Sequence, residues 1–405
     1  MMKRPILFMV LCLLLSSAFG QMRWTRVLEH APWGTQGGMS VLVKDGKIWL
    51  FEDFLRPRNK IWCSADGDSW ILICDSAPWG PRSQFAAVVF EDKFWIFGGW
   101  PDTIGCFTWY SPNGINWVRL PNPIPMGRPP ECIWNHVVVV FQEKIWIFTN
   151  YPRNEIWCSA DGDSWILMAE STSWTMRILY PLAVFDNKLW AMGGWIASGD
   201  SGFDVNDVWC SLNGVDWQCI TENAPWSPRE GHTVLVKDDK LWLLGGRLDL
   251  PEPATDTFFN DVWYTPDGDT WICATDSAGW SGRWEHASVV FDSCLWVMGG
   301  YTQHGSQADI WYSTGLSSGA IEETKPFTQF TSLPPTIIRS ISQLVAIHQP
   351  AILLDPTGRQ IADLRPGTNI RNLKPGIYFL LLTQTNTDAE SRRQTQNTQK
   401  IVFIE

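Results

Sequence analysis

Residues 228–271 read PREGHTVLVKDDKLWLLGGRLDLPEPATDTFFNDVWYTPDGDTW, and they contain one complete repeating unit. The β-branched run 233–237 predicts a strand, a, and Asp238-Asp239 a turn. Residues 241–244 predict strand b, closed by Gly245-Gly246. After a variable loop, residues 261–264 predict strand c, Asp267-Gly268 a hairpin turn, and residues 271–274 strand d.

The unit recurs on both sides. The core of strand b returns at Trp49, Trp95, Trp146, Trp190, Trp242 and Trp296, and strand c at Trp62, Trp109, Trp157, Trp209, Trp263 and Trp311. Strand d carries Trp70, Trp117, Trp165, Trp217 and Trp271, each eight residues after its strand c partner. Nothing equivalent follows Trp311. The missing strand stands at the other end, where Trp24 precedes the first strand a. A closed ring needs such a clasp between its first and last sheets, and an open row does not. The chain is therefore expected to be all-β, with a six-bladed β-propeller over residues 21–315 shut by its N-terminal strand. Three tryptophans per blade fit inter-blade packing.

These residues resemble the kelch-repeat family: the double glycines Gly98-Gly99, Gly193-Gly194, Gly245-Gly246 and Gly299-Gly300, the downstream tryptophan pair, and an Arg-x-x-His opening strand a. The resemblance speaks to fold, since this architecture hosts both binding proteins and enzymes. Blades one and three depart from it, with Phe51-Glu52 and Thr149-Asn150 where the glycine pair belongs.

Residues 1–20 join two basic residues to a short apolar run and an Ala18-Phe19-Gly20 cleavage signal, which predicts a secretory signal peptide. No later segment is long and apolar enough to be a transmembrane helix. The chain has a formal charge of −11, and the carboxylate excess lies in residues 21–315. Such a field repels phosphate backbones, so nucleic acid is not expected as a partner. Cysteines at equivalent positions of different blades stand too far apart to pair and read as small strand fillers, with a disulfide inside one blade as the alternative. With no Cys-x-x-Cys and no His–Cys cluster of zinc spacing, neither a metal nor another cofactor is expected.

Strand parity places the b–c and d–a loops on one face of the ring and the a–b and c–d turns on the other. The second face carries uniform Asp-Gly and Asn-Gly hairpins; the first carries the variation. Its d–a loops repeat Trp79, Trp226 and Trp280 with Arg82, Arg229 and Arg283 three residues later, while Trp174 and Arg177 do the same in blade four. Its b–c loops supply Trp195, Asp200, Phe203, Asp204, Phe258, Phe259 and Tyr301. Indoles interleaved with guanidiniums and carboxylates suit a sugar, through stacking on apolar ring faces and charge-assisted hydrogen bonds. Arginines opening strand a would make a positive funnel for a carboxylate or sulfate. The alternative is that the repeated tryptophans and arginines stitch each loop to its neighbouring blade.

An enzyme on the same face would draw on Arg177, Arg229, Arg283, Tyr180, Glu230 and Glu285, a set that resembles sialidase sites. The turns Ser64-x-Asp66-Gly67-x-x-Trp70 and Ser159-x-Asp161-Gly162-x-x-Trp165 are similar to the sialidase Asp-box, which is a folding element. A sialic acid mutarotase, which also uses six kelch blades, is a further alternative.

After Trp311 tryptophan stops. Residues 316–344 are rich in Ser, Thr and Pro and read as a linker. Residues 345–405 alternate short strands and resemble the C-terminal sorting domain of the type IX secretion system: a Leu-x-Asp-x-x-Gly-Arg turn from Leu353 to Arg359, Leu-Lys-Pro-Gly-x-Tyr-Phe from Leu373 to Phe379, and a closing Lys400-Ile401-Val402. That resemblance implies a small β-sandwich, the type IX machinery as partner, and export to the surface or medium of a Gram-negative bacterium. Together these readings describe a secreted or surface binding module for a glycan or an extracellular protein, with a glycan-active enzyme as the rival.

Overall fold

The computed structural model describes residues 22–53, 59–100, 107–123, 136–150, 154–198, 201–251 and 254–316, and five strands further on. The proposed signal peptide lies outside the described residues, as does Asp200. Among the described residues no helix is long and apolar enough to cross a membrane.

Six four-stranded antiparallel sheets make the first unit. Their innermost strands are Ser40–Lys44, Ala86–Phe90, Val137–Phe141, Leu182–Phe185, Thr233–Lys237 and Ala287–Phe291. Each lies beside the next around the ring, and the sixth meets the first, so the propeller is closed. The clasp is the N-terminal strand Met22–Leu28, which pairs antiparallel with Ile310–Leu316, Trp24 opposite Ser313.

The repeat is legible in its hydrogen bonds. The a–b turns place both central residues at positive φ, as at Asp238 and Asp239, which matches a two-residue hairpin to strand twist. All six strand b indoles donate to the carbonyl ending their own strand a, from Trp49 to Lys44 at 3.3 Å through Trp296 to Phe291 at 2.9 Å. In the c–d turn of blade five, the Thr265 hydroxyl accepts from the Gly268 N–H at 2.8 Å, and Asp267 accepts from Asp269 and Thr270. Gly268, at φ +83°, also leaves room for Trp190 of the preceding blade, whose ring a β-carbon there would overlap. The same contact joins Gly67 to Trp296, Gly114 to Trp49, Gly162 to Trp95 and Gly214 to Trp146. Among the described residues Trp242 has no such partner glycine, because the strand d of the sixth blade is the N-terminal strand and no c–d turn precedes it.

Between blades the core is apolar: Trp49, Phe51 and Ile61 of blade one pack with Phe94 and Ile96 of blade two, and Leu50 and Trp62 with Val289 and Met298 of blade six. Each fully buried large side chain is worth about 1.5–3 kcal/mol, so the interfaces carry the fold. The seven described cysteines are unpaired, and Cys63 and Cys158 are buried within strand c.

Two sequence assignments are corrected. Phe51 pairs with Ile61 inside strand b, so Glu52-Asp53, rather than Phe51-Glu52, takes the place of the glycine pair in blade one. The segment read as a linker holds a strand, Thr336–Ile338, which runs parallel to residues 401–403. The described strands of the second unit form a single five-stranded sheet, whose long hairpin joins Gly376–Gln384 to Thr395–Phe403.

Candidate functional site

The face of the b–c loops carries small additional sheets. Arg177–Ile178, Trp195–Ser198 and Ser201–Asp204 form one in blade four, Arg247–Leu248 pairs with Thr257–Phe258 in blade five, and Tyr301–Thr302 with Gly305–Ser306 in blade six. Bridges from Ser83 to Trp100, Glu230 to Arg247 and Trp284 to Tyr301 bring the residue after each loop arginine beside the residue after its glycine pair.

The arginines do not make a funnel. Arg229 donates through Nη1 to the Gly245 carbonyl at 2.8 Å and forms a bidentate pair with Asp261 at 2.6 and 2.9 Å. Arg177 does the same with Gly193 and Asp207, and Arg283 with Gly299 and Asp309. Each of these carboxylates also accepts from a strand c indole, Trp209, Trp263 or Trp311. Arg82 is likewise buried, donating to the carbonyls of Trp79 and Gly98. Arg229 and Arg283 are 0% exposed, and Trp79, Trp226 and Trp280 are 1% exposed, each edge-on to a strand d indole. Trp79, Trp226, Trp280, Arg82, Arg229 and Arg283 as ligand contacts, and Arg177 with Arg229 and Arg283 as catalytic groups, are therefore corrected to inter-element ties, and three free guanidiniums for a carboxylate are not present at these positions. Tyr180 is also interior: its hydroxyl lies 3.4 Å from Asn150, and burial pushes its pKa up, so it holds its proton. The strand a histidines are buried and neutral, with burial lowering His136 to about 4 and His286 to about 3.

What does line the channel mouth is the position two residues after each arginine. Gln84, Leu179, Gly231 and Glu285, with Gly38 in blade one, all have left-handed φ, between +47° and +75°. Three of the five are not glycine, and such a conformation costs of order 1–3 kcal/mol and concentrates at functional sites. Here a chain of hydrogen bonds between blades holds it. Gly231 N–H donates to Leu179 O, Glu285 N–H to Gly231 O and Gly38 N–H to Glu285 O, at 2.8–2.9 Å. At the next step the pattern changes: Gln84 N–H donates instead to the Asp53 carboxylate at 2.7 Å.

Carboxyl groups gather around this ring. Burial lifts Glu285 to about 7, helped by the charge of Glu230 and opposed by Arg247. Burial likewise lifts Asp204 to about 7 and raises Glu230, and it pushes Asp53 well above the carboxylate range, with Glu285 adding to the effect. Arg247 is the cation among them. It pairs closely with Glu230, reaches Asp256 at 3.2 Å, and lies 3.7 Å over the ring of Trp284.

Aromatic groups form the rim. Trp100 is 50% and Phe203 53% exposed, Tyr301 and Trp284 are half-buried with centroids 5.9 Å apart, and Phe259 lies under the Arg229 guanidinium. Trp195 covers Gly202. Phe258 lines a cleft of about 430 Å³ with Asp256, Gly282, Thr302, Gln303 and His304. Among the described residues no group of three His, Cys, Asp or Glu is placed to hold a metal ion.

Sequence reading reached Glu230, Glu285, Asp204 and Tyr301 but missed Asp53 and Arg247 at the mouth. It also missed Asp207, Asp261 and Asp309 as the arginine partners. The signal for the last three was in the sequence: an Asp stands two residues before the strand c tryptophan in the three blades whose arginine it binds.

No family model matches the sequence. Over 217 residues, 47% of this chain, it is 24% identical to the leucine-zipper-like transcriptional regulator 1 homolog of Drosophila melanogaster. Over 122 residues, 30% of the chain, it is 25% identical to Kelch-like protein 26 of Danio rerio. The chain spans about a fifth of the length of these curated relatives, 21% and 19%. The solved structure of YjhT superposes with a TM-score of 0.58 at 15% identity, covering 70% of this chain and 96% of that one. The fold is thus a kelch-type propeller, a module of the kind used for binding or for catalysis.

Proposed function

We propose that the propeller is an extracellular glycan-binding module, and that its ligand sits on the b–c loop face over the channel mouth. The observation that carries this reading is the pairing of a carboxyl-rich mouth with an aromatic rim: Glu285, Glu230, Asp204 and Asp53 inside, the exposed Trp100 and Phe203 and the half-buried Trp284 and Tyr301 around them. Aromatic faces take the apolar sides of sugar rings while carboxyl groups take hydroxyls and amines. With Arg177, Arg229 and Arg283 each bound to an aspartate, the charge balance favours neutral or cationic sugars over sialic acids and sulfated glycans. A glycan array with the full chain tests this. Binding that is lost in Glu285→Gln and weakened in Trp100→Ala supports the reading, and silence on the array, with capture of one protein partner, overturns it.

A second reading, acid–base catalysis on a sugar at the same mouth, is favoured by Glu285 and Asp204, whose values near 7 suit proton transfer at neutral pH. Turnover of an array-positive glycan, lost in Glu285→Gln while binding persists, distinguishes it. Export belongs to the same proposal: the leader-like residues 1–20 and the sorting-domain motifs of residues 345–405 support passage to the cell surface or medium by the type IX route. Sequencing the termini of protein recovered from the medium of the native host checks both ends.

A further inference from the structure

Asp53 is one of two places where the glycine pattern breaks, the other being Asn150 of blade three. Four blades have a glycine at this position, and blade one has a carboxylate that is 5% exposed. One of its oxygens accepts from the Gln84 N–H, and the other, Oδ1, is buried with no hydrogen-bond partner. A carboxylate in that state is costly unless a donor reaches it.

Glu285 of blade six belongs to the same corner. Its backbone is fixed on both sides by the inter-blade bonds to Gly231 and Gly38, and burial and neighbouring charges act on its carboxyl with no hydrogen bond or ion pair to it among the described residues. Gly37 and Gly38 bring the three residues together: a β-carbon on Gly37 would meet both the Tyr301 ring and the Glu285 carbonyl, and one on Gly38 would lie 3.4 Å from the Asp53 carboxylate. In keeping with that proximity, the charge of Glu285 adds to the rise of Asp53, and both carboxyls add to that of Tyr301. The Tyr301 ring lies against Gly37, where a β-carbon would overlap it, which closes the corner on the blade one side. Arg247, the cation of the mouth, is committed to Glu230 and Asp256. The donors already in the corner are neutral, the Gln84 N–H on Asp53, the Gly37 N–H on the Tyr301 oxygen and the Tyr301 hydroxyl itself, and among the described residues no lysine or arginine pairs with Asp53 or Glu285.

We propose that this corner between blades six and one binds a protonated primary amine, seated against Asp53 and Glu285 beside Tyr301, so that the recognised glycan is one with free amino sugars. The inference rests on the glycan-binding reading and specifies its ligand. An alkylammonium offers three N–H donors from a compact head, enough for Asp53 Oδ1, Glu285 and the Tyr301 oxygen together. A hydroxyl offers one donor and leaves the charge uncompensated. The half-buried rings of Trp284 and Tyr301 supply the apolar wall for the sugar that carries the amine. Because Glu285 is near half-protonated at neutral pH, seating the ammonium ionises it, and its proton passes to the buffer.

Isothermal titration of the full chain with glucosamine hexaose and with N-acetylglucosamine hexaose at pH 7 tests the inference. The expected result is at least tenfold tighter binding of the free-amine oligomer, with heats that depend on the ionisation enthalpy of the buffer. Asp53→Asn and Glu285→Gln, which keep shape and the acceptor for Gln84, should each abolish the preference while unfolding midpoints show the variants folded. Equal binding of both oligomers, or a preference that survives both substitutions, overturns the amine site and leaves the glycan reading standing. Failure of both oligomers together with a silent array removes the glycan reading itself. Hexalysine binding that depends on Asp53 and Glu285, with no response to glucosamine hexaose, overturns the assignment to a glycan.

Discussion

Arg229 in the d–a loop before blade five and Asp261 before its strand c form a buried bidentate pair, with N–O distances of 2.6 and 2.9 Å, at the root of both loops. The arginine is fully buried and the aspartate side chain 16% exposed, and Asp261 also holds the Trp263 indole. Removing one partner leaves a buried charge and typically costs about 3–5 kcal/mol. Arg229→Ala should therefore lower the unfolding free energy, read by urea denaturation, by that much. Adding Asp261→Asn should cost much less than the sum of the two single changes, since they act on one interaction. A full-stability Arg229→Ala that loses only ligand binding would return the arginine to the binding surface.

Closure gives a second prediction. Trp24 packs edge-on against Trp280, with centroids 5.7 Å apart, inside the interface between blades five and six. Trp24→Ala should destabilise the propeller by about 3–5 kcal/mol, read by chemical unfolding. Deleting residues 22–28 should do more, because it leaves Ile310–Leu316 as an unpaired edge, and the shortened chain should aggregate in light scattering. A monomeric deletion variant of unchanged stability would contradict the closed ring.

Gly268 tests the stitching of blades. Gly268→Ala forces an L side chain into φ +83° and into the Trp190 ring of blade four at once. A loss of roughly 2–4 kcal/mol in unfolding free energy is expected, of the scale set by overpacking plus backbone strain. Gly34, also at positive φ but with open space around its β-carbon position, is the control, and Gly34→Ala should cost only the backbone part.

Stability should depend on pH through Glu285. Glu285 has a folded value of about 7 against an ordinary 4.5, so between those values the folded state binds more protons than the unfolded one. The stability it contributes is present below about pH 4.5, is lost as pH rises towards 7, and is constant above. Glu230, Arg247, Asp53 and Tyr301 face it and set the size of the effect. His136 and His286, with folded values of about 4 and 3, act oppositely and cost stability as pH falls below 6.5. The difference in unfolding free energy between wild type and Glu285→Gln removes the histidine contribution. It should fall by about 1–3 kcal/mol from pH 4.5 to 7.5. A flat difference would mean that Glu285 is solvated.

By itself the sequence determined the ring. Tryptophans at fixed places in a repeat of about fifty residues, hairpin turns at fixed offsets, and a strand d displaced to Trp24 leave few other ways to bury both faces of every sheet. Those signals are local and periodic, so they survive in one dimension. The interior fate of Arg229 and Trp226 was not local. It depended on Asp261 returning from 32 residues away and on the next blade covering the indole. Asp53 was still less legible, because a carboxylate replacing one glycine reads as a lapse in the motif until the ring brings Glu285 of the sixth blade to its side. Only tertiary structure decided that meeting. The two residues are far apart along the chain, and their electrostatic coupling exists only because closing the circle takes both of them out of water in the same corner.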